Sequence, residues 1–290
     1  MSSLGWRVRD LANLDFETII KNNSRGDNAS FNEHKGAKNS KIVGEATHML
    51  SFIVEQEIKK GRFPIVLGGD HSIAIGTLAG ALRARPNIGV IWVDAHADLN
   101  TPDTSESGNM HGMPVGLLMQ GLVKDYRSIP GLEWISSSSD DDKGVIQPLL
   151  DPDSIVYVGL RDVDAAEREI IHEKNIKTFT MHDIDRYGIG NVMDMALEHL
   201  FDKDPNRPIH LSYDIDAVDP LLAPATGTAV RGGLTYREAH FVAEAVAKSG
   251  NLTSIEMVEL NPTLSDGQGS RETVELGMAI VTSLMGKSII

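Results

Sequence analysis

The stretch IGVIWVDAHADLN, residues 88–100, joins an apolar run to a polar ending. The run is rich in β-branched residues and predicts a buried strand. Directly after it, Asp94, His96 and Asp98 fall at every second position. In an extended segment this spacing places all three side chains on one side. Two carboxylates and an imidazole past the end of a strand are the first indication of a functional site.

Similar apolar runs recur along the chain with helix-like stretches between most of them. The runs are WRVRDL (6–11), PIVLGG (64–69), SIVYVGL (154–160), IKTF (176–179), PIHLSYD (208–214) and LTSIEMVEL (252–260). In residues 38–60 the apolar residues at helical spacing are Ile42, Ala46, Met49, Leu50 and Ile53. The alternation predicts an α/β fold with a parallel sheet and helices on both faces. Because no internal repeat or linker is visible, we predict a single domain over residues 1–290.

Composition narrows the class of protein. The chain has 290 residues, a formal net charge of −14 and no cysteine. An acidic surface repels nucleic acid and anionic membranes, and the lack of thiols excludes disulfides, zinc–thiolate sites and cysteine nucleophiles. The N-terminus has no apolar signal core, and no window of the sequence could span a bilayer. We therefore predict a cytoplasmic enzyme with no nucleic-acid or membrane partner.

Other polar residues also stand at the ends of apolar runs. His71 follows PIVLGG, Asp214 and Asp216 follow PIHLSY, and Glu259 follows LTSIEMV. In an open parallel sheet, binding sites form at the carboxyl ends of the strands. Several carboxylates that converge there without cations would repel one another. A pair of divalent metal ions would remove this conflict, with one carboxylate bridging them.

The type of ligand suggests which metal would bind. The set is rich in oxygen, has few nitrogens and lacks sulfur, which favours Mn²⁺, with Fe²⁺, Co²⁺ or Zn²⁺ as substitutes. Two such ions can share a water and lower its pKa. A single Asp at a strand end is more often a turn or helix cap, and we assign Asp219 in "DAVDP" to that role.

Three motifs carry a family resemblance. They are "GGDHS" at 68–72, "DAHAD" at 94–98 and "SYDIDAVDP" at 212–220. With them the sequence resembles the ureohydrolase (arginase/agmatinase) family from about residue 5 to 285. The resemblance implies a three-layer α/β/α sandwich with a mostly parallel central sheet, and two Mn²⁺ ions. The residues that match the family's metal ligands are His71, Asp94, His96, Asp98, Asp214 and Asp216.

Within this family the sequence is most similar to the arginases, through "DLNTPDTSESGNMHGMP" at 98–114, "GLRDVD" at 159–164 and "PATGTAVRGGLTYRE" at 224–238. This implies hydrolysis of L-arginine to L-ornithine and urea by a metal-bridging hydroxide. Glu259 would pair with the guanidinium, Asp98 would carry the hydroxide proton, and His111 would exchange protons with solvent. The predicted substrate-binding residues are Asn100, Ser105, Ser107, Asn109, Asp164, Glu167 and Thr228.

Two further expectations concern the subunit interface and the N-terminal segment. The resemblance implies a homotrimer or homohexamer with Arg237 and Glu238 at a subunit interface, whereas by themselves these residues are ordinary helix-start charges. Family members open with a strand and a helix before the segment that matches WRVRDL, and this chain lacks both. We therefore expect WRVRDL to pair with PIVLGG or to be poorly ordered, and the chain to be less stable than a full-length relative.

Several alternatives compete with these readings. His111 could merely begin the helix MPVGLLMQGL. The nearest alternative function is an agmatinase or another hydrolase of guanidino compounds. A binuclear phosphoesterase needs further histidines after strand ends, and past residue 216 only His240 is present, in a predicted helix. A non-enzymatic binding subunit is disfavoured because the ligand set, His111 and Glu259 are all intact.

Overall fold

A single sheet organises the computed structural model, which describes residues 4–23, 34–136 and 149–287. Every pair of neighbouring strands is parallel, and the order is β1-β6-β5-β2-β3-β4. The strands are β1 Ile65–Leu67, β2 Gly89–Val93, β3 Ile155–Leu160, β4 Lys177–Thr180, β5 Ile209–Asp214 and β6 Leu252–Val258. Each coincides with one of the predicted apolar runs.

Helices follow most of these strands. They are α1 Glu17–Asn23, α2 Ser40–Lys59, α3 Ala74–Ala84, α4 Pro114–Leu118, α5 Glu133–Ser136, α6 Ala165–Glu173, α7 Met181–Phe201, α8 Tyr236–Lys248 and α9 Gly267–Leu284. None of the described helices has both the length and the hydropathy that a membrane span requires.

Successive side chains along each strand point to opposite faces of the sheet, and a hydrophobic core lies on each face. Val90 and Trp92 belong to the core that α2, α3 and α4 cover. Ile91 and Val93 point the other way, into the core formed with α7, α8 and α9. All of β2 is buried because both of its faces are covered, as expected for a parallel strand. The predicted three-layer α/β/α sandwich is confirmed.

The strand order produces a crevice at the centre of the sheet. From β2 the chain moves outward to β3 and β4, whereas from β5 it moves outward to β6 on the other side. The two neighbouring strands β2 and β5 therefore send their connections in opposite directions, and a crevice opens between their carboxyl ends. Asp94 directly follows β2 and Asp214 ends β5, so the two acidic motifs meet in this crevice.

Close contact between α2 and α3 supports the segment that leads into the site. Gly76 and Gly80 of α3 face α2, and a Cβ on Gly80 would lie 2.4 Å from the Ser51 carbonyl oxygen. Of the apolar residues predicted at helical spacing in α2, Leu50 is buried whereas Met49 is 40% exposed. Small residues decide this packing, because the helices approach most closely along the face of α2 that carries Thr47 and Ser51.

The predicted pairing of WRVRDL with PIVLGG is wrong. Residues 6–11 form no strand, and β1 pairs with β6 alone among the described strands. The Trp6 indole instead donates a hydrogen bond of 2.9 Å to the Met285 carbonyl oxygen and lies 6.0 Å from the Phe63 ring. Val8 is 61% exposed, so this segment contributes little apolar burial. With only three residues in β1, the sheet edge offers a strand few hydrogen bonds.

We expect Gly80→Ala to lower the free energy of unfolding by about 1–3 kcal/mol, since its methyl group overpacks the contact between α2 and α3. Gly267→Ala is the control, because a Cβ there meets nothing within 4 Å. Urea denaturation of both variants is the measurement. Equal stability of the two variants would contradict this account of the packing.

Candidate metal centre and substrate pocket

Two clusters of metal-binding side chains lie in the crevice, and they share one residue. The first contains His71, Asp94 and Asp214, and the second contains Asp94, His96 and Asp216. His71 Nδ1 lies 3.1 Å from Asp94 Oδ2 and 3.2 Å from Asp214 Oδ2. On the other side, His96 Nδ1 lies 3.5 Å from Asp94 Oδ1 and 3.1 Å from Asp216 Oδ2. Asp94 therefore offers one oxygen to each cluster.

Asp98 adds a fourth carboxylate beside the first cluster. Its Oδ2 lies 2.9 Å from His71 Nδ1. The backbone of Asp98 has a φ of 49°, a left-handed conformation that few residues other than glycine adopt. Its carbonyl oxygen accepts from the amides of Val115 and Gly116, at the start of α4. These backbone hydrogen bonds stabilise the left-handed conformation of Asp98, and in this conformation its carboxylate faces the crevice.

The surroundings of His71 fit a metal ligand. Its Nε2 lies 2.8 Å from Ser212 Oγ, and its ring stacks on Trp92 at 4.2 Å. When Nε2–H donates to Ser212, the lone pair of Nδ1 faces the carboxylates. Nδ1 is buried and close to three carboxylate oxygens, yet among the described residues the angles fit a hydrogen bond to none of them. A cation between these atoms would satisfy all of them.

The second cluster is held by the backbone and by a neighbouring loop. The His96 amide donates to Asp94 Oδ1 at 2.7 Å, and the Ala95 amide donates to Asp216 Oδ1 at 3.3 Å. Thr228 Oγ1 donates to Asp216 Oδ2 at 3.0 Å. These bonds fix both carboxylates before any ion binds, which is how outer contacts orient metal ligands.

The pKa shifts of the clustered side chains indicate that the site has an excess of negative charge. Burial, together with the charge of Asp94, raises the pKa of Asp98 to about 7. Burial and the carboxylates of Asp216 and Asp94 raise the pKa of Asp214 well above its ordinary value. Burial alone would lower the pKa of His71, but the surrounding carboxylates outweigh it and raise that pKa well above 6.5. Carboxylates that hold protons and an imidazole that gains one are the signature of missing positive charge.

Glu259 stands beside the first cluster at the end of β6. Its Oε1 accepts from the His71 amide at 2.7 Å, and its own amide donates to the Gly69 carbonyl oxygen at 2.9 Å. Like Asp98, it has a left-handed backbone, with a φ of 60°. Burial raises the pKa of its carboxyl group. A half-buried carboxylate aimed at a cavity is suited to a cationic group of a ligand.

Most of the predicted site residues line one cavity of about 150 Å³ above the two clusters. This volume is several times the ~30 Å³ that a water occupies in the liquid. The predicted residues that line the cavity are His71, His96, Asp98, Asn100, Ser105, Ser107, His111, Asp164, Glu167, Asp214, Thr228 and Glu259. Asp94 and Asp216 lie beneath them and are almost completely buried. Asn109 does not line the cavity, and Lys38 Nζ donates to its Oδ1 at 3.4 Å.

Two of the lining residues also hold the wall of the cavity together. Glu167 accepts from the amides of Leu99 and Asp164, each at 2.9 Å, so its carboxylate ties the loop after β2 to the start of α6. Asn100 Nδ2 donates to Asp164 Oδ2 at 2.9 Å. The loop that carries Asp98 is therefore fixed against the helix that begins after Asp164.

Asp162 is a site residue that the sequence reasoning missed. It lines the cavity, and its Oδ2 lies 4.0 Å from His96 Nε2. Its position just past the end of β3 was the signal that could have found it, because Asp94, Asp214 and Glu259 stand at the ends of strands in the same way. By contrast, Asp219 has the predicted turn role, with its carboxylate accepting from the amides of Leu221, Gly232 and Gly233.

Comparison with known proteins identifies the family. The model of the arginase family matches residues 3–286. The chain belongs to the arginase family. A curated arginase from Coccidioides posadasii is 47% identical over 264 residues, which cover 89% of this chain and 77% of that protein. The human mitochondrial arginase-2 is 41% identical over 289 residues, which cover 99% of this chain and 76% of the relative.

Solved structures of the arginase family agree. Arginase from Bacillus caldovelox has a TM-score of 0.78 and 42% identity, and the match covers 88% of this chain and 79% of that one. Arginase from Bacillus cereus has a TM-score of 0.81 and 36% identity, with 100% and 88% covered. The protein is thus an arginase-family hydrolase with a His/Asp cluster able to bind metal.

Adding Mn²⁺ to metal-free protein should raise its melting temperature. Ions that bind only the folded state at one hundred times their Kd stabilise it by about 2.7 kcal/mol per site. The control is Asp94→Asn, which weakens both clusters at once and should lose most of the increase. A scan by calorimetry is the measurement. An unchanged increase in Asp94→Asn would refute the shared position of this residue.

Proposed function

We propose that the protein hydrolyses L-arginine to L-ornithine and urea with two Mn²⁺ ions. The observation that carries this proposal is the pair of clusters that share Asp94, with Glu259 beside them on the same cavity. The relatives named arginase over most of the chain support the same activity. The ligand types fit Mn²⁺, since five oxygen-bearing or imidazole ligands surround the shared Asp94 and none contains sulfur.

The residues around the clusters would divide the work. When bound, the ions would supply hydroxide at neutral pH for attack on the guanidinium carbon. Glu259 would hold the guanidinium by a charge-assisted pair, and its hydrogen bond with the His71 amide fixes its orientation. Asp98, which lines the cavity beside His71, is placed to pass a proton towards the leaving nitrogen.

His111 would connect this site to solvent. It lies in a 3₁₀ turn, Met110–Gly112, on the wall of the cavity and is half-buried. The alternative that His111 begins the helix loses support, because α4 starts at Pro114. An imidazole has two ring nitrogens that can bind or release a proton, which suits it to carry protons between the cavity and solvent.

The far end of the cavity would recognise the amino-acid part of the substrate. Asp164 would accept from the α-ammonium, while Asn100, Ser105 and Ser107 would donate to the α-carboxylate. Agmatine lacks the α-carboxylate, so donors placed for that group would be left unpaired. This mismatch would weaken agmatine binding relative to arginine. Asn109 and Glu167 would act on this end through the loops they hold.

The alternative functions have less support. A binuclear phosphoesterase would need a further histidine ligand, but His240 lies in α8 with its Nδ1 3.0 Å from Ser283 Oγ. An agmatinase remains the closest alternative, and a non-enzymatic subunit would have no use for the intact His111 and Glu259. The cytoplasmic location and the homotrimer or homohexamer through Arg237 and Glu238 remain predictions. Glu238 accepts from the Thr235 amide at 2.8 Å as part of a helix cap.

Urea release from arginine after manganese loading tests the proposal, with agmatine and guanidinobutyrate assayed in parallel. We expect kcat/KM to be highest for arginine by a large factor. A preference for agmatine would replace the proposal with the agmatinase alternative, and no urea from any of the three would refute hydrolysis of guanidino compounds.

His111→Ala should lower kcat by about 10²-fold or less, because 10²-fold is the lower end of what general acid–base groups contribute and solvent can replace part of a proton shuttle. The Mn²⁺ content should not change, since His111 belongs to neither cluster. Steady-state kinetics and metal analysis of the same sample are the measurements, and imidazole buffer should restore part of the rate. Loss of bound metal in the variant would make His111 a ligand instead.

Asp164→Asn should raise KM for arginine far more than for guanidinobutyrate, which has a carboxylate but lacks the α-ammonium that Asp164 would bind. Asn keeps an oxygen that can accept hydrogen bonds at the start of α6, so the variant isolates the charge. Kinetics on both substrates give the ratio. Equal losses on the two substrates would contradict the assignment of Asp164 to the amino-acid end of arginine.

A further inference from the structure

Arg161, the residue after β3, joins three other segments of the site through its side chain and its backbone amide. Its Nη2 donates to the Asp216 carbonyl oxygen at 2.6 Å and to the Val230 carbonyl oxygen at 2.7 Å. Its Nη1 donates to the Ala217 carbonyl oxygen at 3.1 Å. The Arg161 amide also donates to the Ala95 carbonyl oxygen at 2.9 Å, inside the DAHAD motif. One residue thus holds the ends of β2, β3 and β5 and the loop that contains Val230.

The partners of Arg161 are unusual for a half-buried arginine. Within the described ranges, no carboxylate oxygen lies within 4.0 Å of its guanidinium, and the hydrogen bonds all go to backbone carbonyls. A guanidinium stays charged in proteins. Its charge is therefore not cancelled by a direct ion pair. Burial lowers the pKa of Arg161, and the nearby acids, of which Asp216 has the largest effect, oppose this shift.

The contacts of Arg161 bear on one half of the metal centre. Asp216 is a member of the second cluster, and its carboxylate faces His96. Thr228, two residues before Val230, donates to the same carboxylate. We propose that Arg161 is a positioning residue that holds Asp216 and Thr228 in place for the metal ion of the His96–Asp216 cluster. This inference rests on the proposed dinuclear centre, and it assigns no role in substrate binding.

The space around the guanidinium is shaped for it. A Cβ on Gly233 would lie 2.7 Å from Arg161 Nη2. The planar fork of arginine can donate to several carbonyls in fixed directions, which the single ammonium of lysine cannot do. A substitution by lysine therefore keeps the charge and removes the geometry, and this separates positioning from simple charge compensation.

Arg207 provides a matched control at the opposite end of the sheet. It is only 6% exposed, and its guanidinium donates to the Asn87 carbonyl oxygen at 3.0 Å and to the Leu200 carbonyl oxygen at 3.4 Å. It precedes β5, whereas Arg161 follows β3. Loss of Arg207 should destabilise the fold as loss of Arg161 does, without a contact to the metal centre.

The experiment titrates Mn²⁺ into metal-free full-length protein and follows binding by calorimetry and by the electron paramagnetic resonance of free Mn²⁺. The samples are the wild type, Arg161→Met, Arg161→Lys and Arg207→Met. We expect two ions per chain in the wild type and in Arg207→Met. In both Arg161 variants we expect one ion at the wild-type affinity and a second that binds about 10–100-fold more weakly, the usual effect of removing an outer partner of a ligand.

Three results would overturn the inference. They are wild-type affinities for both ions in Arg161→Met, restoration of the second site in Arg161→Lys, and equal weakening in Arg207→Met. The first would show that Arg161 has no role in metal binding. The second would show that its positive charge is sufficient without its geometry. The third would attribute the weaker binding to general destabilisation of the fold. If Arg161→Met does not fold, the Mn²⁺ titration of Arg161→Lys tests the inference by itself, because a second site of wild-type affinity in that variant would overturn it. Fewer than two ions in the wild type would instead refute the dinuclear centre, and the inference with it.

Discussion

Repulsion among buried carboxylates is the constraint on which the rest of this structure depends. Asp94, Asp98, Asp214 and Asp216 converge with little exposure to solvent. Without cations, some of these carboxyl groups would hold protons at neutral pH, as the raised pKa of Asp98 shows. Two divalent ions would remove the repulsion, and Asp94 offers one oxygen to each cluster. The site therefore carries an electrostatic cost in the metal-free state that metal binding would recover.

The parallel sheet places these charges and holds them there. The crevice lies where β2 and β5 send the chain in opposite directions, so two acidic motifs from distant parts of the sequence meet. Backbone amides, Ser212, Thr228 and the loop that Glu167 holds fix the side chains before an ion arrives. Preorganisation of this kind makes the positions of the ligands a property of the fold and not of the metal.

The sequence predicted all six strands, both acidic motifs and the members of the two clusters, because apolar runs with polar endings follow directly from burial in a parallel sheet. It did not predict α6 or α9. The first is short and highly charged, and the second begins with two glycines within three residues. WRVRDL has the composition of a strand but forms none, since the neighbouring edge strand β1 has only three residues to pair with. The contacts of Arg161 join segments far apart in sequence, so no local pattern could reveal them, whereas Asp162 could have been found from its position just past the end of β3.

The most direct test of the central claim is urea release from arginine as a function of Mn²⁺ equivalents added to metal-free protein. The dinuclear account predicts little activity at zero equivalents and a rise that ends at two ions per chain. The clusters share Asp94, so both ions should be needed for the full rate. Full activity at zero or at one equivalent would contradict the account, because the shared carboxylate would then have no second ion to serve.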